Sequence, residues 1–378
     1  MTAILQFGTS RFLQAHVDLF IGEALAGGAA LGPVTVVQTT DSADSAKRIA
    51  AFNQPGGYPV RIRGLLDGVV VDRVQTVASV QRGLSAQRDW AQVRELAAGP
   101  VQVMISNTGD RGYELSPDDH PGLLEGDVAP RSFPAKLLVL LHGRYLRGGA
   151  PVTLLPCELV AGNGTVLREC VLQLARDWGL GLAFANWLAG ACVWVNSLVD
   201  RIVSEPIDPV GAVAEPYALW AIEAQPEMQL PCAHAQIVVT DRLEPYERRK
   251  LFLLNLGHSF LAECWLREER PEGETVLQAL SDPRLGAELE ALWEEEVLPV
   301  FRALGEEEAS RAYLDQVRER FGNPYLAHRL ADIAKNHEEK KLRRFQPVLA
   351  LARELGLNIP QARLRKALER AATGVPVK

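Results

Sequence analysis

The chain has 378 residues, 47% of them hydrophobic and 23% charged, with a formal charge of −7 from 47 acidic against 40 basic side chains. That composition excludes disorder, collagen-like repeats and coiled coil as the main organisation, and domains of about 100–200 residues imply two of them. An acidic balance lacks the concentrated basic surface that nucleic acid requires, so small metabolites remain as partners.

Ala3–Phe7 reads as a short apolar strand ending at Gly8, and Phe12–Leu25 as the periodic helix after it. Val34–Thr39 is the next strand, and SADSAKRIAAF (42–52) the next helix. Val60–Arg63 and Val69–Val74 read as a hairpin around Leu66-Asp67-Gly68. A helix at Asp89–Ala98, a strand at Val101–Ser106, a helix at Ala135–Tyr145 and a strand at Val152–Leu155 continue the alternation. Such alternation predicts a parallel, doubly wound sheet with helices on both faces. After Tyr246 the segments Arg248–Leu266, Glu288–Leu304, Ala309–Phe321, Asn323–Asn336 and Glu338–Leu355 all carry helical spacing, with charge on the opposite face. The predicted fold class is therefore α/β, with a Rossmann-like dinucleotide domain over 1–245 and an all-helical substrate domain over 246–378. The active site is expected beyond the carboxyl ends of the strands, where the two domains meet.

Five cysteines, Cys157, Cys170, Cys192, Cys232 and Cys264, are widely spaced and resemble no zinc site. The start MTAILQFGTSRF has no basic stretch leading into an apolar run, so a reduced, cytoplasmic protein is expected. Gly179–Val195 is apolar, but it is shorter than the roughly 20 residues of a membrane helix and is broken by Asn186. A buried element is expected there, and no membrane partner.

A strand that ends in glycine and enters a helix is where a dinucleotide domain puts its phosphate loop. Here the loop is Gly8-Thr9-Ser10-Arg11-Phe12-Leu13, with Ser10 and Leu13 where GxGxxG has glycines. Ser10 can cap the helix or meet a phosphate, and Arg11 adds charge; a capped β–α turn explains the loop equally well. Past the second strand, Asp41 is placed to hold ribose hydroxyls of NAD or to cap the next helix. Gln38 does not decide between NAD and NADP. Asn107 and Thr108 end a later strand, where polar side chains meet the nicotinamide ribose.

The densest polar group is Tyr246-Glu-Arg-Arg-Lys250, followed by Asn255 and His258. Spacings of five and three residues allow Lys250, Asn255 and His258 to lie near one helix face. Of 40 basic residues only eight are lysines, and a lysine after two arginines offers what arginine cannot: a pKa that a cleft can lower until a proton is exchanged. A surface lysine, a capping asparagine and a packed histidine would give the same string. Tyr246-x3-Lys250 also fits the short-chain dehydrogenase pair, but the glycine loop of that family is missing.

Several segments together resemble the mannitol dehydrogenase family of polyol-specific long-chain dehydrogenases. Lys250-x4-Asn255-x2-His258 is similar to its catalytic signature, and Asn196-Ser-Leu-Val-Asp200-Arg201-Ile202 to the block whose asparagine assists the lysine. Gln6–His16 resembles its nucleotide loop, and Arg320-Phe-Gly-Asn-Pro324 a late helical block. Within the family, Ser106-Asn-Thr, Leu155–Val160 with Asn163-Gly164, and Pro216–Glu223 look like the branch of tagaturonate reductases (altronate oxidoreductases). Ser106–Gly112 departs from that branch's SNTTEAG, and the chain is shorter than its members.

The resemblance implies metal-independent hydride transfer between NAD, with NADP not excluded, and a secondary alcohol of an open-chain sugar acid. Lys250 would be the general base, Asn196 and Asn255 would donate to the developing alkoxide, and His258 would orient a hydroxyl. Gly8, Thr9, Ser10, Arg11, Phe12, Asp41, Asn107 and Thr108 would hold the cofactor. Arg320, Lys340 and Arg343, with Lys341, are possible partners of the substrate carboxylate; a solvated helix face explains the last three as well. A polyol or its phosphate is the second substrate reading, and a non-catalytic nucleotide sensor the reading from another class. Monomer and homodimer both remain open.

Overall fold

The structure, a computed structural model, describes residues 2–109 and 112–372. The chain opens with β1 (Ile4–Phe7), α1 (Arg11–Ala15), α2 (Val17–Ala26), β2 (Val34–Gln38) and α3 (Ala43–Phe52). A hairpin of β3 (Tyr58–Leu66) and β4 (Val69–Val77) follows, then β5 (Val80–Ser85), α4 (Trp90–Ala98), β6 (Val103–Ser106), α5 (Phe133–Leu146) and β7 (Thr153–Pro156). Next come α6 (Asn163–Asp177), α7 (Leu182–Gly190), β8 (Val193–Trp194), and the short strands β9 (Ser197–Asp200), β10 (Val203–Pro206), β11 (Ala212–Ala214), β12 (Leu219–Glu223) and β13 (Ile237–Thr240).

Six strands pair in parallel in the order β5-β2-β1-β6-β7-β8. This is the Rossmann-like doubly wound sheet that the alternation predicted. The direction of winding reverses between β1 and β6, the switch point of such sheets. Every residue of β1, β2, β6 and β7 is buried, as expected for parallel strands covered on both faces. The hairpin turns where the sequence placed it, with Asp67 (φ 53°) and Gly68 (φ 74°) both in the left-handed region.

Three expectations need correction. Phe12–Leu25 is two helices, because His16 (φ −128°, ψ −85°) breaks the run between α1 and α2. The apolar stretch 179–195 is not one buried element: α7 buries only Phe184 and Leu188 and leaves Leu182 exposed, while Cys192, Trp194 and Val195, at and around β8, are buried. The segment Asn323–Asn336 is mostly loop, because Asn323 accepts from Tyr325 N (3.0 Å) in a turn and only Leu330–Ile333 is helical. Among the described residues, no helix is long and apolar enough to cross a membrane.

By contacts the chain divides into two units, Met1–Ile62 with Arg73–Ala214 and Ala218–Leu243, and Arg63–Asp72 with Glu215–Tyr217 and Glu244–Lys378. The C-terminal part of the second unit is helical: α8 (Glu244–Arg249), α9 (Leu256–Arg267), α10 (Val276–Leu280), α11 (Pro283–Ala291), α12 (Leu298–Ala303), α13 (Glu307–Phe321), α14 (Leu330–Ile333), α15 (His337–Arg344), α16 (Gln346–Glu354) and α17 (Ala362–Ala372). Two π-helical turns interrupt it, Lys250–Asn255 between α8 and α9, and Leu292–Val297 between α11 and α12. Its core packs Phe252, Leu253, Phe260, Trp293, Phe301 and Phe321 among other buried apolar side chains. Deep inside it, Lys341 donates to Glu263 (3.1 Å), which His337 also reaches at 3.0 Å. That buried pair anchors α15.

Candidate active site

The first unit carries the predicted cofactor residues around the switch point. Gly8 leaves β1 at φ +112°, and a Cβ there would stand 2.4 Å from the Asn107 carbonyl oxygen at the end of β6. Only glycine lets these two loops approach so closely, which is the backbone requirement of a phosphate loop. Ser10 caps α1 through Leu13 N (3.2 Å), and the Phe12 ring packs on His16. Thr9 is buried and joined to α3, its Oγ1 lying 3.4 Å from Ser45 Oγ.

Other predicted residues are engaged differently. Arg11 turns away from the loop, donating to the Ile207 and Gly211 carbonyls (both 2.9 Å) and pairing with Asp208 (2.9 Å). Its guanidinium is thus held by the 207–211 turn. Asp41 is exposed and is not the helix cap; Ser42 caps α3 through Ser45 N (3.1 Å). Asn107 donates to the Cys157 carbonyl (2.8 Å), while Thr108 donates both N–H and O–H to Glu158 (3.0 Å each). Of the departing loop 106–112, Asp110 and Arg111 lie outside the described residues.

Glu158, at the end of β7, has no role in the sequence reading. Its buried carboxylate also accepts from Ser106 Oγ (3.0 Å) and Tyr113 Oη (3.1 Å), so it ties the loop after β6 to β7. Burial raises its pKa, opposed by those hydrogen bonds. Asn196, also in the first unit, accepts from Thr165 N (2.9 Å) and donates from Nδ2 to Glu223 (2.8 Å) and Thr165 Oγ1 (3.2 Å). Both amide protons therefore have partners.

The second unit carries Lys250, Asn255 and His258. In an α-helix at roughly 100° per residue, positions five apart point about 140° away from each other. The π turn Lys250–Asn255 changes this, because an i→i+5 turn returns the chain to the same side after five residues. Lys250 and Asn255 are both half-buried. Arg248 pairs with Glu306 (2.5 Å) and Arg249 covers the Tyr246 ring (4.5 Å), so the neighbouring cations have partners of their own.

Two carbonyls of the π turn each accept a side-chain donor from another element. Trp293 Nε1, from the second π turn, donates to Leu253 O (3.1 Å). Arg344 of α15 donates to Asn255 O (3.1 Å) and to Ser259 Oγ (2.8 Å). His258 stacks on Phe321 (4.3 Å between centroids) and meets His328 edge-on (4.7 Å). Burial, then His328, Arg344, Arg320 and Lys340, drive the His258 pKa well down, so its imidazole is neutral at pH 7. The His328 pKa is lowered too, chiefly by burial. Two neutral imidazoles near Lys340, Arg344 and Arg320, with the Asp332 carboxylate acting against them at His328, make a setting that favours an anion.

These observations sort the predicted carboxylate partners. Arg320 is buried in a two-point ion pair with Glu215 (2.8 and 3.0 Å) and lies over Tyr217, so the structure gives its guanidinium to a protein carboxylate. Arg343 is exposed and pairs with Glu339 (2.7 Å), and Lys341 belongs to the buried Glu263 pair. Lys340 donates to the Ile333 carbonyl (2.9 Å) and acts on both histidines. Arg344 and His328 were missed. The signal for Arg344 was helical spacing, four residues after Lys340 and hence on its side of α15. Among the described residues no group of three His, Cys, Asp or Glu side chains could hold a metal.

Along the chain, residues 2–231 match the family model of the mannitol dehydrogenase Rossmann domain, and residues 242–365 that of the mannitol dehydrogenase C-terminal domain. The chain belongs to the mannitol dehydrogenase family. Curated relatives include the altronate oxidoreductase of Bacillus subtilis (strain 168), 34% identical over 92% of this chain and 74% of that protein. That of Halalkalibacterium halodurans is 32% identical over 91% of this chain and 69% of its own. Among solved structures, a D-sorbitol dehydrogenase in substrate-free form superimposes with a TM-score of 0.83 at 21% identity, covering 98% of this chain and 80% of that one. Pseudomonas fluorescens mannitol 2-dehydrogenase, in a ternary complex with NAD and D-mannitol, gives 0.75 at 18% identity, over 99% and 80%. As a member of the mannitol dehydrogenase family, the chain is an oxidoreductase of the polyol and sugar-acid dehydrogenase class.

Proposed function

We propose that the protein interconverts a keto sugar acid of the tagaturonate or fructuronate type and its alcohol, by hydride transfer at a nicotinamide with Lys250 as general acid and base. The observation that carries this reading is the π turn that brings Lys250 and Asn255 to one side of the helix, three residues before a neutral His258 among cations. The altronate oxidoreductases among the relatives favour the sugar-acid branch.

The nicotinamide dinucleotide fits the switch-point cradle at Gly8 and Asn107, with Thr9, Ser10, Phe12, Asn107 and Thr108 around it and Glu158 fixing Thr108. Bound there, it would supply the hydride acceptor for oxidation and the hydride donor for reduction. Lys250 Nζ, neutral at the start of oxidation, takes the hydroxyl proton as the C–H bond breaks, and its ammonium returns that proton to the oxygen in reduction. Asn255 donates to the oxygen as negative charge develops. Asn196 joins it by exchanging its 3.2 Å bond to Thr165 for one to the substrate. His258 can accept from a substrate hydroxyl or donate to it, because it stays neutral. Lys340 and Arg344 face the substrate carboxylate with His328 beside them, a choice of cations that leaves Arg320 to Glu215 and Arg343 to Glu339.

The test is oxidation of reduced cofactor with tagaturonate, fructuronate, fructose and fructose 6-phosphate in parallel, on the wild type and on Lys250→Ala. One of the two uronates should turn over fastest, and Lys250→Ala should lose about 10²–10⁴ in kcat across the pH range. Near-wild-type turnover of the variant refutes the lysine role. A preference for the neutral sugar or its phosphate refutes the sugar-acid assignment.

A further inference from the structure

Arg48 has no part in the function described so far. It lies in the second turn of α3, and its side chain reaches back to donate from Nη2 to Ser45 Oγ (2.8 Å) and across to donate from Nε to Thr9 Oγ1 (3.2 Å). Thr9 follows Gly8 in the phosphate loop, and Ser45 sits one turn into α3; both are buried. The guanidinium is therefore fixed where the β1 loop meets the exit of β2, the side of a Rossmann sheet that receives the adenosine ribose. Of its five N–H groups, two are used by these hydroxyls, and among the described residues no carboxylate pairs with it. Arg11, in the same loop as Thr9, is by contrast spent on two carbonyls and on Asp208.

The end of β2 adds a second observation. Gln38, Thr39 and Thr40 place no carboxylate there. Gln38 is buried, donates to the Thr40 carbonyl (2.5 Å), and leaves its Oε1 without a partner. An orphaned acceptor at the end of β2, followed by an unpaired guanidinium fixed on the next helix, suits a ribose that offers one hydroxyl and one phosphate. It suits a ribose with two hydroxyls less well, because the arginine would then stay unmatched. Asp41, the acid that would repel a phosphate, lies beyond the strand end and is exposed to solvent.

We propose that Arg48, with Ser45 and Thr9, is the seat of the 2′-phosphate of NADP(H), with Gln38 accepting from the adjacent 3′-hydroxyl. The protein then takes NADP(H) at least as well as NAD(H). This rests on the nicotinamide reading above, and direct binding separates the two. The full chain and its Arg48→Ala and Arg48→Lys variants are titrated calorimetrically with NADP⁺ and with NAD⁺, with no sugar present. The wild type should bind NADP⁺ no more weakly than NAD⁺. Arg48→Ala should lose about 10–100-fold toward NADP⁺ and less than about threefold toward NAD⁺, and Arg48→Lys should fall between. Equal losses toward both would assign Arg48 to the pyrophosphate and overturn the proposal, as would no loss, or a wild type that prefers NAD⁺. Failure of the wild type to bind either dinucleotide would remove the nicotinamide reading itself.

Discussion

Arg344 joins the Lys250–Asn255 turn to the cationic end of the proposed site, and its removal separates two effects that can be measured independently. Its guanidinium holds Asn255 O, at the end of the π turn, and the buried Ser259 hydroxyl. Hydrogen bonds from a charged donor contribute about 1.5–3 kcal/mol each. Against this, burial drives the Arg344 pKa from 12.5 down to about 10, with Arg343 adding a smaller push. Keeping that cation in place therefore costs roughly 3 kcal/mol. The difference predicts that Arg344→Ala loses at most about 3 kcal/mol, or up to about 10 °C in melting temperature for a unit of this size. Hydrogen exchange should localise the loss, with amides from 250 to 259 opening faster and those of the six-stranded sheet unchanged. Catalysis reports the charge: kcat/KM for a uronate should fall by about 10–100-fold, and for a neutral sugar by much less. Arg344→Lys keeps the charge but not the fork, so it should recover the uronate preference more than the melting temperature. An Arg344→Ala protein with unchanged melting, unchanged exchange over 250–259 and unchanged uronate preference would refute the reasoning.

Two further outcomes follow from buried titratable groups. The pKa values of His258 and His328 are lowered in the folded state, chiefly by burial, so below about pH 6.5 the unfolded chain binds protons that the folded chain refuses. Stability should be complete above that pH and fall as pH drops through it, by up to about 1.4 kcal/mol per pH unit for each histidine. Urea unfolding from pH 7.5 to 5 should show this slope, and His258→Gln should flatten it; an identical slope would exclude His258 as a source. Glu158 accepts from Ser106, Thr108 twice and Tyr113, so Glu158→Gln sets an amide donor against donors. It should cost about 1–3 kcal/mol and raise KM for the cofactor more than it lowers kcat, and an unchanged cofactor KM would leave Glu158 a purely structural role.

The parts of this protein that were legible in its sequence are those written in local periodicity. The buried strands β1, β2, β6 and β7 read as apolar runs because both faces of a parallel sheet are covered, and Asp67-Gly68 read as a turn because both residues tolerate positive φ. β12 was not legible, since Leu219–Glu223 becomes a strand only through its partners β9 and β13. The break at His16 was hidden for a related reason, as apolar spacing continues through it on both sides. Lys250, Asn255 and His258 were visible as residue types at a suggestive spacing. The reason the spacing works was not visible, because a π turn leaves the apolar pattern of Arg248–Leu266 looking like one α-helix. What stabilises that turn comes from 40 and 89 residues away, where Trp293 and Arg344 supply donors to Leu253 O and Asn255 O. A string of residues records which side chains can do chemistry; the register that aligns them is held by distant donors, so mutations at Trp293 or Arg344 act on Lys250 and Asn255 without touching either side chain.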